Sequence, residues 1–218
     1  MNPPPSDTAD TTGTTDTAAA RPPRRRVHTR ARLLAAAGEL FLTVGFARTS
    51  IEDVCGAAGY TRGAFYSNFG SKEDLLLALF DDQAARRMAQ LEQLAAACEA
   101  LAPRERARLL VEALLRVDPA ETGWILLFLE FRLVAARTEA LAEQVAAHDR
   151  AVARKLADVL EQALPELVPP GASAWQAAAV ILAAREGLLA RTAAGGAVAE
   201  ELLRATEAVL SGLLGRQG

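Results

Sequence analysis

The chain has 218 residues, 51% of them hydrophobic, and a formal net charge of −3. That length accommodates one small module and one core-bearing domain of about 140 residues. Cys55 and Cys98 lie far apart and only two histidines are present, so neither a disulfide framework nor a zinc cluster is indicated, and no cofactor motif is apparent.

The longest uncharged run, 167–184, is broken by Pro169, Pro170 and Gly171, and falls short of the about 20 apolar residues a bilayer requires. The first 20 residues are polar and carry Asp7, Asp10 and Asp16, unlike a secretory signal. The cytosol is therefore the expected compartment. Charge is unevenly distributed: residues 21–72 hold nine bases against three acids, whereas the remainder after Lys72 is acidic. A basic footprint confined to one stretch matters more for nucleic-acid binding than the net sum.

Residues 1–27 are rich in Pro, Thr, Asp and Arg without apolar periodicity, which predicts a disordered arm ending in Arg24, Arg25 and Arg26. That end either lies along DNA or serves as a solubilising tail. From Thr29, apolar residues at Leu33, Leu34, Ala37, Leu40, Phe41 and Val44 predict a helix that Gly45 ends. Ser50 with Asp53 predicts the capped start of a short second helix, and Gly59 a left-handed turn. Thr61 is positioned to cap a third helix reaching Asn68.

Ser71 with Asp74 repeats the capping signal before a helix running toward Ala100. Further helices are predicted near 104–117, 120–136, 138–164, 173–193 and 197–214, punctuated by prolines. The fold class expected is all-α.

The order Ala58, Gly59, Thr61, Gly63, Tyr66, Phe69, Lys72, with Phe41, Gly45, Phe46, Thr49 and Ser50 upstream, resembles the N-terminal domain of the TetR family of bacterial transcriptional regulators. Two positions depart from it: Asn68 stands where an aromatic residue or His is usual, and Cys55 where alanine is. The likeness spans about fifty residues, and beyond Phe80 it is architectural only. It implies a helix-turn-helix DNA-binding domain over 28–72 and a helical ligand-binding and dimerisation domain over 73–218.

The resemblance further implies a homodimer binding a pseudo-palindromic double-stranded DNA operator and released by a small-molecule effector. The third helix then enters the major groove. Arg62 has the donor fork suited to guanine or, alternatively, to phosphate; Thr61, Gly63 and Ala64 allow close approach to bases. Tyr66 and Lys72 resemble phosphate anchors, with Thr49, Ser50 and Asn68 beside them. Phe65 and Phe69 are expected in the core.

Trp124, Phe128 and Phe131 recur at helical spacing in a segment apolar nearly all round, so they pack a core or line a pocket with Glu130 or Arg132 as a polar anchor. His148 lies within an apolar stripe and is either a core residue or a ligand contact. Trp175, Ala179, Leu182 and Leu189 belong to the helix pair that the resemblance places at a dimer interface, although packing within one chain would use the same residues.

An enzyme is not expected, because His28 sits in the basic arm and His148 stands alone, without a nucleophile–base set. The alternatives left open are a transcriptional activator of the same fold and a helical interaction protein that has lost DNA binding.

Overall fold

The computed structural model describes residues 23–115, 122–163, 165, 168–193, 201, 204 and 205. Regular structure among them is helical: α1 (Pro23–Thr43), α2 (Ile51–Ala58), α3 (Arg62–Tyr66), α4 (Lys72–Ala97), α5 (Pro103–Leu115), α6 (Thr122–Ala135), α7 (Glu139–Ala163) and α8 (Ala174–Ala193). The helix expected over 197–214 lies almost wholly outside the described residues. At the other end, α1 starts at Pro23, so residues 23–27, expected in the arm, are helical. Pro at a helix start loses no bond that the helix would otherwise make, which lets the arginines continue the helix N-terminally.

Local signals set α2, α3 and α4. Ser50 and Asp53 form a reciprocal capping box at α2, satisfying two backbone donors that a helix start leaves open. Gly59 closes α2 at φ +73°, a conformation natural only to glycine. Thr61 and Ser71 cap α3 and α4 by accepting from Ala64 N and Asp74 N.

The first apolar cluster joins α1, α2, α3 and the start of α4 to α6 and the start of α7. Leu33, Phe41, Val54, Phe65 and Leu75 are fully or almost fully enclosed within it, and so is Phe131 of α6. A second cluster unites the end of α4 with α5, α7 and α8. With 26 residues, α4 is about 39 Å long at 1.5 Å per residue. Leu75, Leu76, Leu79 and Phe80 anchor it in the first cluster and Met88, Leu91 and Ala95 in the second. One rigid element thus belongs to both cores.

Candidate nucleic-acid interface and internal cavity

The helix-turn-helix exposes five of the nine residues expected to meet DNA. Thr61, Arg62, Gly63 and Tyr66 are exposed, and Ser50 is exposed at the cap of α2. Arg62 is oriented by two neighbours: its guanidinium lies 2.6 Å from Glu52 Oε1 and 3.4 Å from the Tyr66 hydroxyl. Nothing in the sequence singled out Glu52, because the pair joins α2 to α3 across the turn.

Other expected contacts face inward. Ala64 is buried at 4% exposure because α3 turns that position toward the core beside Phe65. Its carbonyl accepts from Ser67 Oγ and Asn68 Nδ2, so the Asn68 amide is engaged by the helix itself. Thr49 is buried too, its hydroxyl donating to Gly45 O at 2.8 Å. Lys72 Nζ donates to Phe46 O and Thr49 O, both at 2.8 Å, and sits over the Phe46 ring at 4.3 Å. The ammonium fastens the loop before α2 to the start of α4. Phe65 and Phe69 are core residues as expected, and so is Cys55, whose thiol is pushed up chiefly by burial and then by Glu52.

The second domain holds a cavity of about 420 Å³, open to solvent on one side, between α4, α6, α7 and α8, with Leu114 of α5 at its wall. Trp124, Phe128 and His148 line it. Phe131 and Glu130 do not: Phe131 is wholly enclosed and Glu130 is exposed. Successive residues of a helix turn by about 100°, so Glu130 points roughly opposite Phe128, while Phe131 packs against the rings of Phe46 and Phe80. Trp175, Ala179, Leu182 and Leu189 of α8, expected at a subunit boundary or in packing within the chain, wall this cavity as well.

Two polar links cross the cavity wall. His148 Nδ1 lies 2.9 Å from Asp81 Oδ1, tying α7 to α4. Arg132 of α6 lies 2.9 Å from Asp149 of α7 and 3.0 Å from Glu186 of α8, with its guanidinium 4.6 Å above Phe128. The contact to Glu186 is an ion pair out of line for a hydrogen bond, since Nε has no aligned acceptor. Burial raises the Glu186 carboxyl above the ordinary glutamate value; Arg132 opposes that and Asp149 adds to it. Asp149 and Glu186 escaped sequence reasoning because their relation to Arg132 exists only across three helices.

A small helix-turn-helix module carrying an exposed arginine, joined to a helical domain with an apolar cavity, defines a DNA-binding transcriptional regulator. Residues 33–79 match the family described as bacterial regulatory proteins, tetR family, and residues 103–215, over half the chain, match the BetI-type transcriptional repressor C-terminal family. The chain belongs to the TetR family.

Over 53 residues it is 45% identical to the HTH-type transcriptional regulator TtgR of Pseudomonas putida, a stretch covering 24% of this chain and 25% of that protein. A TetR-family transcriptional regulator from Pectobacterium atrosepticum is 25% identical with a TM-score of 0.64, over 90% of this chain and 99% of that one. A protein from Saccharomonospora viridis, solved in complex with choline, is 18% identical with a TM-score of 0.57, over 88% and 97% of the two chains. At that identity the likeness shows the fold alone. No helix among the described residues is long and apolar enough to cross a membrane.

Proposed function

We propose that the protein is a ligand-responsive repressor that binds a pseudo-palindromic operator as a homodimer and is released by a small-molecule effector. The observation that carries the ligand response is the cavity, whose volume of about 420 Å³ lies in the range of small-molecule sites. Phe80, Ala84 and Met88 of α4 form part of its wall, and α4 begins at Lys72, which holds the loop leading into α2. An effector that binds better to a conformer with misplaced reading helices weakens DNA binding by that difference in affinity. The solved relative holding choline supports a small-molecule reading without identifying the effector.

On the DNA side, Arg62 reads a base edge with Thr61 and Gly63 beside it, and Tyr66 and Ser50 meet phosphate. Lys72, Thr49, Asn68 and Ala64 act behind them by holding the loop and α3 in place. Dimerisation uses the outward face of α8, where Val180 and Gly187 are exposed two turns apart and stand outside the cavity wall, so that two reading helices stand about 34 Å apart, one turn of B-DNA.

The test is binding of the full chain to DNA from upstream of its own gene, over a salt series and against non-specific competitor. Competitor-resistant binding to a short inverted repeat is expected; weak, steeply salt-dependent binding alone overturns the operator assignment. Trp124 and Trp175, the chain's two tryptophans, both line the cavity. A compound that changes their emission should therefore also release the operator.

A further inference from the structure

We propose that the arginine-rich beginning of α1 is a second phosphate-binding surface, gripping the operator backbone beside the reading helix. The inference rests on the DNA-binding reading but concerns residues 23–32, which precede the stretch matched to the family. Arg25, Arg26, His28, Arg30 and Arg32 fall within ten residues, and the next acid along the chain is Glu39. All five are exposed, while Thr29 among them and Leu33 just after them are buried.

Their placement follows from helix geometry. With the Thr29 and Leu33 side turned inward, Arg26 and Arg30 fall on one flank of α1, and Arg25, His28 and Arg32 on the other. The first flank reaches the exit of the reading helix: Arg26 donates to Ser67 O at 3.2 Å and Arg30 lies 5.1 Å from the Phe69 ring centroid. The second reaches its entry: the Tyr60 hydroxyl lies 3.4 Å from His28 Nδ1, and Arg32 lies 5.6 Å from the Tyr60 ring centroid. The cations thus bracket α3 at both ends.

Among the described residues, Arg26, His28, Arg30 and Arg32 meet a carbonyl, a hydroxyl and aromatic rings, none of which carries a compensating charge. A duplex whose major groove receives α3 presents its flanking phosphates on either side of that helix. Charge complementarity and continuity with the reading helix therefore commit this surface to the DNA backbone. Contacts of this kind add affinity and register without reading sequence.

The experiment compares the full chain with Arg25→Gln/Arg30→Gln and with Arg25→Lys/Arg30→Lys, on a selected operator and on random DNA, by fluorescence anisotropy at several salt concentrations. Thermal unfolding of each variant verifies that α1 stays folded. Each lost phosphate contact should lower the slope of log K against log salt by roughly 0.9. The glutamine variant should thus lose about 1.8 in slope, weaken on both DNAs by the same factor, and leave the operator preference unchanged, while the lysine variant keeps the parental slope. An unchanged slope in the folded glutamine variant overturns the proposal, and so does a loss of operator preference without a change of slope. Absence of any operator preference in the parent would instead count against the regulator reading, while the slopes on random DNA still decide the role of α1.

Discussion

Arg62 concentrates what single side chains contribute to recognition. Its guanidinium is held between Glu52 and Tyr66, and both partners are exposed, so the pair adds little to stability. Its value lies in pre-orienting a planar donor fork at the start of α3. Arg62→Ala should cost about 1–3 kcal/mol of discrimination at one base-pair position while binding to random DNA changes far less. Competition by operators mutated one position at a time would reveal this, and a uniform loss across all sequences would reassign Arg62 to phosphate. The motif pointed to Arg62, but Glu52, Arg26 and the inward turn of Ala64 were invisible in it, because each depends on packing between helices.

Short elements depend on their ends. Isolated helices shorter than about 12–15 residues are marginal in water, and α2 has eight, so its capping box and its burial together keep it formed. The Asp53 carboxyl is held below the ordinary aspartate value, first by the Ser50 side chain and then by the Ser50 backbone. A lowered folded value means that its stabilisation is present above the ordinary aspartate range and lost as pH falls through the folded value. Ser50→Ala removes the cap and should lower stability near neutral pH, with the penalty shrinking in acid as Asp53 protonates. Chemical denaturation at a series of pH values would follow it.

Arg132 poses the opposite case at the meeting of α6, α7 and α8. Burial raises Glu186 while Arg132 opposes the rise and Asp149 adds to it. Replacing Arg132 by Gln leaves two carboxylates facing each other and lifts Glu186 further. A carboxyl raised in the folded state binds its proton more tightly there than in the unfolded chain, so the stability of this variant rises as pH falls toward the ordinary glutamate range. The melting temperature of Arg132→Gln should trail the parent most at neutral and alkaline pH and approach it in acid. A gap independent of pH would reduce Arg132 to a packing role.

For the whole molecule, α4 is rooted in both apolar clusters, which lets a change at the cavity act on the helix-turn-helix. The proposed dimer makes its own prediction: Val180, 61% exposed on the outward face of α8, should be covered by a second copy. Val180→Glu should convert a particle of twice the 23.1 kDa chain mass into one of chain mass in sedimentation, and weaken operator binding with it, since two half-sites would no longer be held together. Sedimentation of the parent at chain mass would remove the dimer from the proposal.

The sequence by itself determined the helical class, the caps at Ser50, Thr61 and Ser71, the glycine turn at Gly59 and the family, because these depend on residues only a few positions apart. Tertiary structure alone decided that Trp124, Phe128 and His148 meet Trp175 around a cavity from which Phe131 and Glu130 turn away. It also decided that Lys72 serves the loop before α2 and that the first arginines continue α1 alongside α3. Those outcomes depend on how helices rotate and cross when their apolar faces are buried together, a property of the packed assembly that local spacing does not encode.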